Sequence, residues 1–194
     1  MIVGGARRSL DEAEDCGDAF AWWRDESVWT ICLVDGLGHG SQAAMAAQAV
    51  LAEAETHRDL PSDAMLASID REVRWSRGAA IALLRLDGAA RTLSYSGVGN
   101  VRAALFGAAT RRFDGKPGIL GAGHRSQKPE VASWRDGDLL LLWTDGFPAL
   151  LTLDPAGLRL GGDPGALALR LLEGSATGRD DAAVVCVLLE GETP

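Results

Sequence analysis

The fold is decided by the run Trp29-Thr30-Ile31-Cys32-Leu33-Val34-Asp35-Gly36-Leu37-Gly38-His39-Gly40-Ser41-Gln42-Ala43-Ala44. Residues 29–34 are a short apolar, partly β-branched segment, which is too brief for a helix and suits a buried strand. From Ala43 onward the chain is rich in Ala, Leu, Met and Glu, which favour a helix. The pattern predicts a strand, an acidic glycine-rich turn and a helix. Asp35 would stand at the exposed end of the strand, where a carboxylate can meet an ion or a phosphate.

A glycine-rich turn between a strand and a helix is also typical of nucleotide-binding loops. Gly36 and Gly38 fit the opening of a G-x-G-x-x-G motif, but the third glycine would fall at Ser41, and no Gly-Lys-Ser/Thr follows. Asp35 would also repel a pyrophosphate by about 4 kcal/mol at about 4 Å and an effective dielectric near ~20, unless a metal ion lay between them. Direct dinucleotide binding is therefore disfavoured. The alternative that Asp35 and the glycines form only a tight turn and a helix cap stays open at this point.

The composition describes an acidic globular chain. Of its 194 residues, 47% are hydrophobic and 24% are charged, which fits a single domain, residues 1–194, with a sizeable core. The net charge of −8 argues against nucleic acid or an anionic membrane as the main partner. No segment reaches the ~18 apolar residues of a membrane span. The three cysteines, Cys16, Cys32 and Cys186, have no metal-type spacing and indicate reduced thiols in the cytoplasm.

The apolar periods predict two helices after the first hairpin and many strands after those helices. This order excludes a simple alternation of strands and helices around a parallel sheet and favours an α+β fold. Strands are predicted at residues 2–10, 19–23, 28–34, 79–86, 92–97, 101–106, 110–113, 139–143 and 182–190. Helices are predicted at residues 41–55, 62–75, 147–151 and 164–173, and a loop at residues 114–129.

Carboxylates stand at the ends of several predicted strands. Asp35-Gly36 and Asp145-Gly146 each end an apolar strand, Asp180-Asp181 begins another, and Asp18 precedes a fourth. A single such residue is usually a turn former, but the same feature at four strand ends predicts a converging acidic cluster. Oxygen ligands alone favour Mg²⁺ or Mn²⁺, and zinc is disfavoured because no Cys or His pair has ligand spacing. Two such ions can ionise a shared water and clamp a phosphoryl oxygen.

In combination, these motifs resemble the PPM metal-dependent serine/threonine protein phosphatases, in particular their bacterial SpoIIE-like and RsbX-like branch. The matching pieces occur in the family's order and span nearly the whole chain. They are Gly17-Asp18, Val34-Asp35-Gly36-Leu37-Gly38-His39-Gly40 with Ala43-Ala44, Gly97-Val98-Gly99-Asn100-Val101, Gly118-Ile119-Leu120-Gly121, Asp136-Gly137-Asp138, Thr144-Asp145-Gly146 and Asp180-Asp181-Ala182-Ala183-Val184-Val185. The resemblance implies a four-layer α/β/β/α sandwich, in which two antiparallel β-sheets are flanked by helix pairs.

The resemblance further implies a site for two Mn²⁺ or Mg²⁺ ions. Asp35 takes the position of the carboxylate that bridges both ions. Asp145 and Asp180 take the positions of ligands to the first ion, and Asp18 that of a ligand to the second. The implied ligand set is Asp18, Asp35, the carbonyl of Gly36, Asp145, Asp180 and Asp181, of which Asp181 is the least direct contact.

The groups that would handle protons and phosphate match the family less closely. His39 approximates the position of a histidine proposed as the general acid in type 2C enzymes, a role that suits an imidazole, although a histidine after glycine is also a common turn residue. Arg7 and Arg8 lie further upstream than the arginine that holds the phosphate in eukaryotic type 2C enzymes. Asn100 stands where many bacterial relatives have an aspartate linked to a third ion.

The resemblance also implies a reaction and a substrate class. The reaction is hydrolysis of a phosphoserine or phosphothreonine ester by a metal-bridged hydroxide in one in-line step. The substrate would be a phosphorylated partner-switching protein of stress-response or sigma-factor control, such as an anti-sigma-factor antagonist or a stressosome component. Two alternatives stay open. One is a catalytically weak PPM-like regulatory or scaffold domain, against which the retained carboxylates argue; the other is a metal-dependent phosphohydrolase of small molecules.

Overall fold

The computed structural model describes residues 1–124, 128–153 and 162–191. Its strands are β1 (Ile2–Arg8), β2 (Asp18–Asp25), β3 (Val28–Gly36), β4 (Ala79–Asp87), β5 (Thr92–Val98), β6 (Arg102–Phe106), β7 (Thr110–Asp114), β8 (Gly118–Ile119), β9 (Gly123–His124), β10 (Glu130–Ser133), β11 (Leu139–Trp143) and β12 (Ala182–Leu188). Its helices are α1 (Ser41–Thr56), α2 (Ser62–Glu72) and α3 (Pro164–Ser175).

Ten of these strands form two antiparallel sheets. The first sheet has the order β10-β5-β4-β3-β2, the second has the order β1-β12-β11-β6-β7, and β8 pairs with β9 in a separate small hairpin. The helices α1 and α2 pack on the first sheet, and α3 packs on β1 and β12 of the second. The predicted α+β class with two antiparallel sheets in a four-layer arrangement is confirmed. In the described part of the chain, α3 is the helix that covers the second sheet.

Three apolar layers hold this arrangement together. The central one lies between the sheets, and alternate residues of each central strand turn outward toward the helices. In β3, Ile31 and Leu33 pack between the sheets, whereas Cys32 and Val34 pack under α1 and α2. The strands β11 and β12 divide their side chains in the same way between the central layer and α3. Because both faces of these strands are buried, their sequences are continuous apolar runs.

Several sequence-based element predictions differ from the structure. Residues 147–151 form bends and irregular structure and not a helix; the chain folds back there, and the indole of Trp143 donates to the carbonyl oxygen of Pro148 at 3.1 Å. The strand β10 was not predicted; it is short and pairs only with β5 at the sheet edge. The predicted loop at residues 114–129 contains the β8–β9 hairpin. Among the described residues, no helix is long and apolar enough to cross a membrane.

Candidate active site

The first sheet contributes two aspartates that face each other across neighbouring strands. Asp18 begins β2 and Asp35 lies near the end of β3, and the two are paired directly in the strand register. The residue after Asp35 has to be a glycine because α1 begins close by. A Cβ on Gly36 would lie 2.1 Å from the carbonyl oxygen of Ala43. The amide of Gly36 donates to the carbonyl oxygen of Gly17 at 3.1 Å. Close packing of the strand end against the helix thus requires a glycine directly after Asp35.

The second sheet contributes Asp145 and Asp180. Asp145 follows β11 and Asp180 precedes β12, and these two strands are antiparallel neighbours. The side-chain amide of Asn100 donates to Oδ2 of Asp145 at 2.7 Å. Strand ends of both sheets therefore meet around one open pocket of about 340 Å³. Its lining is Asp35, Leu37, Gly38, Ala80, Gly99, Asn100, Gly118, Ile119, Asp145 and Asp180.

Thr144 connects the two sheets behind this pocket. Asp18 is only 2% exposed and does not line the pocket. The hydroxyl of Thr144 donates to Oδ2 of Asp18 at 2.7 Å, and the amide of Ala183 donates to the same hydroxyl at 3.0 Å. Thr144 belongs to the second sheet's strand end and Asp18 to the first. Sequence reasoning quoted Thr144 within a motif but gave it no role, since only the packing of the sheets brings it to Asp18.

Asp181 is turned away from the pocket and toward the chain segment before β2. Its Oδ1 accepts the amide of Leu10 at 2.7 Å, and its Oδ2 accepts the amide of Gly17 at 2.6 Å. The side chain is buried, and it does not line the pocket. Both carboxylate oxygens therefore hold the backbone that leads into Asp18. This arrangement favours a positioning role for Asp181 over the direct metal contact that the motif suggested.

Crowding of carboxylates changes their acidity. Burial, together with the charges of Asp145, Asp180 and Asp181, raises the pKa of Asp35 from 3.8 to about 7. Burial, and next the charge of Asp35, raise the pKa of Asp18 well above its usual range, although the Thr144 hydrogen bond opposes the shift. Burial and the charge of Asp180 also raise the pKa of Asp145. Each shift disfavours the charged form, and a cation among these groups would reverse it.

The chemistry of this donor set fits a hard divalent cation. Asp35, Asp145 and Asp180 offer carboxylate oxygens to the pocket, and its lining holds no cysteine or histidine. In residues 1–124, 128–153 and 162–191, no three acidic, His or Cys side chains already enclose a common point as the ligands of one ion would. The carboxylate side chains would have to move to bring three of their oxygens onto one ion.

His39 stands apart from the pocket lining. Its side chain is 63% exposed, and its Nδ1 lies 3.0 Å from Oε2 of Glu14. The hydrogen bond and charge of Glu14 raise the pKa of His39. The structure thus brings Asp18, Asp35, Asp145 and Asp180 together at one end of the sheets. It leaves His39 at the rim, in the turn between β3 and α1.

Known proteins resemble this chain in sequence. The family model described as Stage II sporulation protein E (SpoIIE) matches residues 25–189. The phosphoserine phosphatase RsbX of Bacillus subtilis (strain 168) is 27% identical over 134 residues, which are 68% of this chain and 67% of RsbX.

Solved structures share the fold. One of them is described under the words "The bacterial stressosome: a modular system that has been adapted to control secondary messenger signaling". It is 30% identical to this chain, with a TM-score of 0.86, and the match covers 95% of this chain and 97% of that one. RsbX in complex with magnesium is 22% identical, with a TM-score of 0.79 and coverage of 94% and 92%. The chain therefore belongs to the SpoIIE family of PPM-type phosphatase domains, the branch that its motifs resemble.

Proposed function

We propose that this chain is a Mn²⁺- or Mg²⁺-dependent protein serine/threonine phosphatase that uses two ions. One observation carries the proposal: both sheets bring aspartates to a single open pocket, where burial and mutual repulsion raise the pKa of Asp35 to about 7. Such an arrangement costs stability unless a cation compensates it. The family membership and the RsbX relative, which is named a phosphoserine phosphatase, support the same conclusion.

Some residues of the site would bind the ions, and others would orient those ligands. Asp35, Asp145 and Asp180 would hold the ions from the pocket, with Asp18 and the carbonyl of Gly36 behind Asp35. When bound, the ions would lower the pKa of a coordinated water and offset charge on the phosphoryl oxygens. Second-layer contacts fix the carboxylates, since such hydrogen bonds orient metal ligands. Thr144 donates to Asp18 and Asn100 donates to Asp145, while the carboxylate of Asp181 accepts the amides of Leu10 and Gly17.

His39 is the candidate general acid, which would donate a proton to the leaving alkoxide. Its pKa is raised by Glu14, so a larger share of the imidazole is protonated at neutral pH than in a free histidine. A serine alkoxide is a poor leaving group and gains from a proton donor. The exposed position of the ring at the pocket rim suits a donor that meets only large substrates.

We further infer that the substrate is a phosphorylated regulatory protein. The pocket opens to solvent, and its volume of about 340 Å³ would admit a phosphorylated side chain presented by a partner. The RsbX relative and the stressosome-related structure support an anti-sigma-factor antagonist or a stressosome component as that partner, in stress-response or sigma-factor control. Free Cys16, Cys32 and Cys186 support a cytoplasmic location.

A phosphatase assay tests this function. The protein should release phosphate from a phosphoserine peptide and from p-nitrophenyl phosphate when Mn²⁺ is added, and chelator should stop it. Asp35→Asn and Asp145→Asn should each abolish the activity, whereas Asp63→Asn, an exposed carboxylate on α2, should leave it intact. Turnover of nucleotides without turnover of phosphopeptides would favour a small-molecule phosphohydrolase. A folded, metal-binding protein without turnover would favour a regulatory scaffold.

A further inference from the structure

The pocket has an electrostatic requirement that its lining does not meet. A phosphate monoester is close to a dianion at neutral pH, and the charged side chains of the lining are Asp35, Asp145 and Asp180. Divalent ions would offset the carboxylates, but a substrate phosphate also needs directional donors, and arginine forks supply these best. The chain as a whole has a net charge of −8, so a cation at this pocket has to be placed there specifically.

Two nearby arginines are already engaged elsewhere. The Nη1 of Arg7 donates to the carbonyl oxygen of Asp18 at 2.7 Å, which directs it to the backbone. The Nε of Arg102 lies 3.7 Å from Oδ1 of Asp114, and its charge acts on Asp145. Arg7 is thus committed to the backbone, and Arg102 already acts on the charges of Asp114 and Asp145.

Arg77 is held at the edge of the pocket by the loop between α2 and β4. On one side, the carbonyl oxygen of Gly78 accepts the amide of Leu37 at 3.0 Å, and Leu37 lines the pocket. On the other, the amide of Gly78 donates to the hydroxyl of Ser76 at 3.1 Å, and that hydroxyl donates to the carbonyl oxygen of Val73 at 2.7 Å. The backbone around Arg77 is thus fixed against the β3–α1 turn.

The guanidinium of Arg77 lies over Gly38, a residue of the pocket lining. A Cβ on Gly38 would stand 3.1 Å from Nη1 of Arg77, so the missing side chain leaves room for the guanidinium. Gly38 also has a φ of +90°, which side-chain-bearing residues rarely adopt. Arg77 is exposed, and within the ranges that the structure describes it makes no ion pair or hydrogen bond through its side chain. Arg77 is therefore a cation beside the lining residue Gly38, and its side chain has no partner in the part of the chain that the structure describes.

We propose that Arg77 is a phosphate-binding residue, which contacts the phosphate group of the substrate at the Gly38 edge of the pocket. The proposal rests on the proposed phosphatase function and names the residue that recognises the phosphoryl group. Its guanidinium would donate to phosphoryl oxygens not used by the ions. The contact is to phosphate itself, so it should act on every phosphate monoester that enters the pocket, whatever group carries the phosphate.

The test compares Arg77→Gln, Arg77→Lys and the control Arg111→Gln, which removes the same charge from exposed β7, outside this pocket. Arg77→Gln should lower kcat/KM by about 10- to 100-fold, and by a similar factor for p-nitrophenyl phosphate and for a phosphoserine peptide. Arg77→Lys should recover part of the loss, because it keeps the charge without the fork. Arg111→Gln should stay within about twofold of wild type.

A binding measurement separates this proposal from the phosphatase function. Calorimetry of the Mn²⁺-loaded protein should show affinity for inorganic phosphate falling about 10- to 100-fold in Arg77→Gln, with Mn²⁺ affinity unchanged. If wild type hydrolyses nothing, the phosphatase proposal fails, while the phosphate titration still decides on Arg77. Unchanged phosphate affinity in Arg77→Gln would overturn the proposal. So would a loss confined to the peptide substrate, since that result would assign Arg77 to the peptide flanks.

Discussion

At the scale of single residues, Asp35 is a pocket carboxylate whose charge the fold tolerates poorly without a cation. Its folded pKa of about 7 lies above its value of 3.8 in an unfolded chain, so the folded state binds the proton more tightly. The associated stability is fully present below pH ~4 and is lost as the pH rises to about 7. A pKa raised that far corresponds to about 4 kcal/mol at most.

Asp35→Asn should therefore stabilise the metal-free protein at pH 8 and change it little at pH 4, because the amide carries no charge to bury. Urea unfolding in chelator at the two pH values measures this difference. Asp63→Asn is the matched control, since that carboxylate is exposed on α2 and lies outside the pocket. A variant that is less stable than wild type at pH 8 would contradict the electrostatic description of the pocket.

His39 invites a test that separates proton donation from structure. If it protonates the leaving alkoxide, His39→Gln should slow a phosphoserine peptide at least about 10-fold more than p-nitrophenyl phosphate, whose leaving group needs little protonation. Glu14→Gln should cause a weaker effect of the same kind, because Glu14 raises the pKa of His39. Equal losses on both substrates would assign His39 a structural role.

The residue scale also shows what motifs can and cannot predict. The sequence identified Asp18, Asp35, Asp145 and Asp180 from their places at strand ends, and the structure brings them to one end of the sheets. Their role as ligands stays a prediction. The sequence could not reveal that Asp181 accepts the amides of Leu10 and Gly17, because those partners are more than 160 positions away.

At the scale of elements, α2 controls the loop that closes one side of the pocket. Asp70 is buried, and its Oδ1 accepts the amides of Gly121 and Gly123 at 2.9 and 3.1 Å. These amides follow Gly118 and Ile119, which line the pocket. A helix carboxylate therefore fixes a loop next to the candidate site.

Asp70→Ala should lower the free energy of unfolding by about 1–3 kcal/mol, since two amides lose a charged acceptor. Hydrogen exchange at Gly121 and Gly123 should quicken as well. Asp63→Ala, on the exposed face of the same helix, provides the comparison and should have a much smaller effect. Unchanged exchange at both glycines in Asp70→Ala would show that the loop is held by other contacts.

The sequence predicted strands correctly where both of their faces are buried, and it was less accurate at sheet edges and helix ends. The strands β3, β11 and β12 are buried on both faces, so their apolar runs are unmistakable. The predicted second helix extended to residue 75, but α2 ends at Glu72 and a turn follows, in which the amide of Ser76 donates to the carbonyl oxygen of Val73. The predicted end, Trp75, has an exposed side chain.

At the scale of the whole molecule, the candidate site exists only when the two sheets are packed together. Asp18 and Asp35 belong to the first sheet, whereas Asp145 and Asp180 flank strands of the second. The order of strands within each sheet depends on pairings between strands distant in sequence, such as β1 with β12. Local hydrophobic periodicity does not reveal such pairings. The four-layer fold was therefore predicted from the family resemblance, and local patterns alone predicted only the α+β class. A divalent ion bound across the sheets should stabilise the entire fold.

The most direct test of this account is a thermal melt of wild type and Asp35→Asn, with and without millimolar Mn²⁺. An ion that binds only the assembled site should stabilise wild type by about 2.7 kcal/mol at a hundredfold excess over its Kd, which raises Tm by about 5–10 °C for a chain of this length. Asp35→Asn should gain much less. Equal shifts in the two proteins would place the ion elsewhere on the acidic surface and contradict the proposed metal centre.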